Sequence, residues 1–166
     1  MSFYQATSFR GSKHWAIIIN KMEKKFIIHT DGGSRGNPGP AAIGVVIEEV
    51  GGVLKKEYGE YIGETTNNDA EYQAVIFALK KMKQLIGKDA AGDATLEFHV
   101  DSELVERQLT GQYKIMDKRI REYFMEIWNL KIDYGKVTFK HVMREKNQEA
   151  DRMVNAALDR ETNKLL

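Results

Sequence analysis

The 166-residue sequence contains no cysteine. That absence excludes disulfides and thiolate metal sites, so any metal must be held by carboxylates or by the four histidines. It also fits a reducing compartment, and the cytoplasm is the expected location. Long apolar runs are missing too: none approaches the roughly 20 residues that span a bilayer, so no membrane association is expected. No secretory leader is read, because Ala16–Ile19 is too short an apolar core and no small-residue cleavage site follows it. A strong charge of either sign is also lacking, since 25 basic and 24 acidic residues leave a net charge of +1. Such a balance does not advertise a nucleic-acid partner, so binding one requires charges segregated by face. Proline occurs twice, and both copies fall with four glycines in HTDGGSRGNPGP, His29 to Pro40.

What remains is a chain long enough for one domain with a real core. Residues 1–23 show no sustained period and read as an N-terminal extension, and residues 24–166 as one domain. Phe26–Thr30 reads as a strand and Ile43–Val50 as a second. Gly51-Gly52 reads as a two-residue hairpin signal, leading to a third strand over Val53–Ile62. After the capping side chains of Thr65–Asn68, Ala70, Ala74, Phe77, Ala78 and Leu85 recur at helical spacing, as do Glu71, Val75, Ala78 and Met82. Gly87 to Gly92 breaks this helix. A strand over Thr95–Val100 follows, then helices from Ser102 to about Thr110 and from Asp117 to about Ile132. Gly135 turns into a fifth strand, Lys136–Val142, and a last helix runs from Asn147 to about Arg160. The order β-β-β-α-β-α-α-β-α predicts an α/β fold. Its five-stranded mixed sheet has an antiparallel meander followed by parallel fourth and fifth strands, with flanking helices.

Four acids stand out. Asp31 is expected where the first strand stops, and Asp101 at the same end of the fourth. Ligands of open α/β sheets bind outside the carboxyl ends of strands. Two neighbouring carboxylates there repel unless one is protonated or a cation lies between them, and oxygen-only ligation suits magnesium or manganese. Simple strand-end capping is the competing reading for each. Glu71 falls on the buried stripe of the long helix, where an unpaired carboxylate is costly, unless it pairs locally on a solvated face. Asp151, in the first turn of the last helix, is also explained by its place at a helix N-terminus. A phosphate cradle around Gly32–Gly39 is excluded, because no lysine-serine or lysine-threonine follows and a strand comes next.

Taken together, the aspartate before GGSRGNPGPAAIG, the segment TTNNDAEYQAVIFAL, the pair Asp101-Ser102 and the segment REKNQEADRMVNAAL resemble the type 1 ribonucleases H. The likeness runs from Lys24 to about Arg160. It implies that Asp31, Glu71, Asp101 and Asp151 form an acidic tetrad for two magnesium ions, with manganese as a substitute. The implied reaction is endonucleolytic hydrolysis of the RNA strand of an RNA–DNA hybrid, leaving 5′-phosphate and 3′-hydroxyl ends. Asn37, Asn67 and Asn68 match positions that contact the hybrid's minor groove and 2′-hydroxyls, which suits carboxamides that both donate and accept. Thr66 matches a position that touches a DNA-strand phosphate. Helix capping for Thr66 and Asn67, and turn formation for Asn37-Pro38, remain open beside these roles. Gly32, Gly33, Ser34, Arg35, Ser102, Glu103 and Arg144 complete the set of expected substrate neighbours. A monomer with no obligate protein partner is the default.

Four features depart from the family pattern. Glu103 stands where relatives often carry glutamine. The Val142–Asn147 segment has no histidine, so Arg144 or Glu145 is the available substitute, while His141 reads as structural. The basic protrusion between the middle helices is absent, since Gln112–Ile120 is too short; Lys114, Lys118, Arg119 and Arg121 offer weaker phosphate contacts. Residues 1–23 do not read as a hybrid-binding domain, although Phe3, Tyr4, Phe9 and Trp15 with Arg10 and Lys13 form an aromatic-basic set able to stack on nucleic acid. Two other functions compete: a non-catalytic nucleic-acid-binding module, and a different metal nuclease on the same scaffold.

Overall fold

Alternation sets the faces of the central strand, because successive side chains of a strand point to opposite sides. In the computed structural model, which describes residues 24–164, Phe26, Ile28 and Thr30 of β1 (Lys25–Ser34) are fully buried. Lys25, Ile27 and His29 between them are not. β2 (Gly39–Glu49) is buried without interruption from Ala41 to Ile47, as a strand covered on both faces should be. With β3 (Lys55–Thr65), β4 (Thr95–Val100) and β5 (Lys136–His141) it forms one sheet in the order β3-β2-β1-β4-β5. β1–β2 and β2–β3 are antiparallel, whereas β1–β4 and β4–β5 are parallel. The expected mixed sheet is therefore the observed one. The expected extension, residues 1–23, and Leu165-Leu166 lie outside the described residues.

Helices cover both faces. α1 (Asn67–Ile86) starts at a capping box in which Thr66 Oγ1 accepts from the Asp69 amide while Asp69 reaches back to the Thr66 amide. It packs across β1, and Tyr72, Val75, Leu79 and Met82 meet Phe26, Ile28, Leu96 and Phe98 in the main core. Each such side chain, fully buried, stabilises by about 1.5–3 kcal/mol. Tyr72 keeps its hydroxyl satisfied by donating to Gln108 Oε1 at 2.8 Å. α2 (Lys88–Ala91) is a single turn inside the break after α1. α3 (Glu103–Leu109) and α4 (Lys118–Lys131) follow β4, joined by residues 110–117 with no helix between them. α5 (Gln148–Lys164) lies on the opposite face, where Val154, Ala157 and Leu158 pack on Ala42.

Among the boundaries that differ from the sequence expectation, two in the β1–β2–β3 meander have a local reason. β2 begins at Gly39 rather than Ile43, because Ser34–Ala41 pairing and the 2.8 Å bond from Arg35 N to Pro40 O carry the hairpin further out. The β2–β3 turn is a four-residue loop, closed by Glu49 N donating to Leu54 O at 2.9 Å, rather than a two-residue Gly-Gly turn. Gly51, at φ 72°, supplies the left-handed residue of that loop.

Candidate active site

Parallel pairing of β1 with β4 stops at Thr30 opposite Val100, which makes Asp31 and Asp101 the next residues on adjacent strands. β1 itself does not stop there. It continues to Ser34 because residues 31–34 stay paired with β2, so the expectation that the strand ends at Asp31 is corrected. The relevant end is that of the parallel pair.

Two glycines bring in the other acids. A Cβ on Gly32 would overlap the backbone of Ala70 and Glu71, so only glycine lets the first turn of α1 press onto β1. Gly44 is the β2 partner of Asp31, and a Cβ there would overlap the Ala150 carbonyl of α5. The first approach delivers Glu71, and the second delivers Asp151, the residue after Ala150.

One carboxylate oxygen each from Asp31, Glu71 and Asp101 lies within 4.8 Å of the others. Asp151 stands just outside this group: Oδ1 is 3.2 Å from Arg144 Nη2, and Oδ2 accepts from Asn155 Nδ2 at 3.2 Å. The four acids line one cleft of about 500 Å³, together with Gly32, Gly33, Ser34, Arg35, Asn67, Ser102 and Arg144. A larger, shallower groove of about 900 Å³ runs along α4 past Met125 and Leu130, away from these acids. The acids are in the smaller one.

Burial, followed by the charges of Asp101 and Asp151, pushes the Asp31 carboxyl up to about 7. Burial likewise raises Glu71 well above the usual carboxylate range, with Asp31 and Asp101 adding to it. Asp101 is raised by burial, which Arg144 and a hydrogen bond from Asn147 partly oppose. Glu71 Oε2 is buried without a hydrogen-bond partner, an arrangement that costs free energy until a proton or a cation arrives. A set of convergent carboxylate oxygens with an orphaned acceptor fits a hard divalent cation. Asp31, Glu71 and Asp101 are the residues placed to hold one, with Asp151 at the rim.

The asparagine loop is tied to the same cleft. Asn67 Oδ1 accepts from Ser34 N at 2.8 Å and from Ser34 Oγ at 3.0 Å, and Asn37 Oδ1 accepts from Asn67 N at 3.1 Å. Backbone donors therefore fix which end of each carboxamide is oxygen. Among the described residues no hydrogen bond takes up either amide nitrogen. Asn68 is half-buried in the first turn of α1. Thr66 is committed internally, since its hydroxyl both accepts from Asp69 N and donates to Asp69 Oδ2, where Arg119 also sits at 3.3 Å. Arg35 is engaged by Asp159. Ser102 caps α3, and Glu103 pairs with Arg107 at 2.7 Å instead of lining the cleft. His141 Nε2 lies 3.2 Å from the Asp101 carbonyl oxygen.

One residue of the site escaped the sequence reading. Asn147, 1% exposed, donates from Nδ2 to the Thr30 carbonyl at 2.9 Å, and its side chain opposes the upward push on Asp101. Its only signal in the sequence is that of a capping side chain before a helix.

Comparisons with known proteins place the sequence and the fold. A family model described as "Reverse transcriptase-like" matches residues 29–157. Ribonuclease HI of Halobacterium salinarum is 40% identical over 129 residues, which are 78% of this chain and 62% of that protein. The bifunctional protein Rv2228c of Mycobacterium tuberculosis is 34% identical over 136 residues, 81% of this chain and 36% of that one. The chain thus spans less than two thirds of these curated relatives. Among solved structures, LC11-RNase H1 in complex with an RNA/DNA hybrid is 45% identical, with a TM-score of 0.77 over 82% of this chain and 99% of that one. RNase H1 of Halobacterium salinarum NRC-1 is 38% identical, with a TM-score of 0.75 over 81% and 98%. With matching sequence, sheet order and near-complete coverage of those structures, the chain belongs to the ribonuclease H1 family.

Proposed function

We propose that this chain is a divalent-metal-dependent endonuclease that hydrolyses the RNA strand of RNA–DNA hybrids, leaving 5′-phosphate and 3′-hydroxyl ends. The observation that carries the proposal is the convergence of Asp31, Glu71 and Asp101 around a buried, unpartnered glutamate oxygen in an open cleft. Asp31, Glu71, Asp101 and Asp151 would hold two magnesium ions once substrate is in place, or manganese in their stead. Bound there, such ions would activate the attacking water and stabilise the leaving 3′ oxygen.

The chain's own groups do the rest. Four acids facing phosphate repel it, so a module that only bound nucleic acid would gain nothing from them. Asn37 and Asn67, with oxygens turned inward, keep N–H donors for the 2′-hydroxyls and base edges that distinguish RNA from DNA. Asn68 stands beside them on the first turn of α1. A Thr66 contact with a DNA-strand phosphate requires its hydroxyl to leave Asp69, and Arg119 is the adjacent cation. Arg144, on the loop that lacks a histidine, would meet the scissile phosphate after exchanging Asp151 for it; its pairing with Asp151 supports this. The named hybrid ligand of the LC11 relative supports this substrate class.

The test compares labelled RNA–DNA hybrid, duplex DNA and duplex RNA, each with magnesium, manganese or EDTA. Metal-dependent cleavage of the hybrid's RNA strand is expected. Cleavage of duplex DNA alone would favour another nuclease of this fold, and binding without cleavage would favour a non-catalytic module.

A further inference from the structure

Asn147 sits at the junction of three elements that each carry one of the acids. Its side-chain Nδ2 donates to the carbonyl of Thr30, the residue before Asp31, and its side chain opposes the upward push on the Asp101 carboxyl. Its own carbonyl accepts the Asp151 amide at 3.1 Å, the first turn of α5, and its amide donates to Arg144 O at 2.9 Å. One buried residue is therefore bonded to the chain beside Asp31 and at Asp151, and acts electrostatically on Asp101. Glu71 is delivered separately, by the Gly32 contact.

We propose that Asn147 is a positioning residue of the metal site, a buried carboxamide that fixes the spacing of the carboxylates on β1, β4 and α5. The inference rests on the reading that these carboxylates hold metal. Its orientation is not free. Because Nδ2 faces a carbonyl oxygen, Oδ1 must face His29 Nδ1, 3.2 Å away, and His29 must present an N–H there. His29 is itself set edge-on against His99 at 4.8 Å between ring centroids. His99 Nε2 lies 2.8 Å from Glu97 Oε1, and Glu97 is held by Lys25, also at 2.8 Å. A file of polar groups along this face of the sheet thus locks the amide with its donors toward the acids. Asparagine suits the position because a carboxamide donates to a carbonyl while accepting from a histidine. Aspartate would add a further repelling charge beside the cluster, and leucine would strand the polar partners Thr30 and His29.

A purely structural role, capping α5, predicts lost stability and nothing more. A positioning role predicts weaker metal binding, because removing a group that orients a ligand costs about 10–100-fold in metal affinity. The experiment measures manganese binding without nucleic acid, from the EPR signal of the free ion, for the full chain and for Asn147→Ala, Asn147→Ser and Asp31→Asn. Asn147→Ala should bind manganese about tenfold more weakly, with the KM for hybrid within about twofold of the parent and kcat partly restored by excess metal. Manganese affinity unchanged within about twofold, together with a lowered Tm, would overturn the proposal. If Asn147→Ala does not fold, Asn147→Ser decides on the same terms, since serine keeps a capping hydroxyl but cannot bridge Thr30 to His29. Asp31→Asn separates the two readings: if it binds manganese like the parent, the acids are not the metal site, whatever Asn147 does.

Discussion

Asp31→Asn should stabilise the metal-free protein at alkaline pH while removing its response to metal. Asp31 is 6% exposed, and its carboxyl is pushed from the ordinary 3.8 up to about 7 by burial first and by Asp101 and Asp151 second. That difference corresponds to about 4 kcal/mol, at about 1.36 kcal/mol per pH unit. The sign follows from linkage: the folded chain holds this proton more tightly than the unfolded chain. The associated stability is complete below about pH 4 and is lost as the pH rises through about 7. Asparagine keeps the shape without the charge and so escapes the loss. An effective dielectric nearer 20 than 4 reduces the expected gain to about 2 kcal/mol at about pH 8. For a chain of this size, that is a Tm higher by about 4–8 °C. Calorimetry in EDTA at about pH 4 and about pH 8 checks it: the variant should match the parent at the lower pH and exceed it at the higher. Adding magnesium at the higher pH should raise the Tm of the parent and leave that of the variant in place. A variant less stable than the parent at the higher pH, or equally stabilised at both, would refute the repulsion argument.

Three further perturbations probe other parts of the account. Gly32→Ala forces the first turn of α1 off β1 and should cost about 3 kcal/mol in urea unfolding, with cleavage lost; a variant of parental stability would show that the close approach is not obligatory. Arg144→Ala removes the charge that opposes the upward push on Asp31, Glu71 and Asp101, so the acidic limb of the kcat/KM profile should move up by about half a pH unit. A limb that stays or moves down contradicts this. Asn67→Asp can still accept from Ser34 but has lost its donor N–H groups. It should raise the KM for hybrid about tenfold, with kcat within about twofold and Tm unchanged; an unchanged KM removes Asn67 from the substrate surface.

Local patterns in the sequence carry much of this architecture, and tertiary contacts carry the remainder. The strands, the long helix and the order of elements follow from alternation and helical spacing, which act over a few residues. Asp31 and Asp101 are recognisable because each follows an apolar run, but the true end of β1 depends on pairing with β2, which a one-strand pattern does not contain. Gly32 and Gly44 look like loop and strand glycines; their part in seating Glu71 and Asp151 comes from helices far away in sequence. Glu103 and Thr66 illustrate the converse, since side chains expected at substrate are taken up by Arg107 and Asp69. Asn147 was hidden for the same reason: its partners Thr30 and His29 lie 117 and 118 residues away.

The central claim, that these acids make a metal-dependent nuclease for hybrids, is tested most directly by one assay. A hybrid labelled at the 5′ end of its RNA strand is incubated with the protein in magnesium, in manganese and in EDTA, beside the Asp31→Asn variant. The account predicts internal cleavage of the RNA strand with 3′-hydroxyl ends in metal, and none in EDTA or with the variant. An intact hybrid under every metal condition, or cleavage that persists in EDTA, would contradict it.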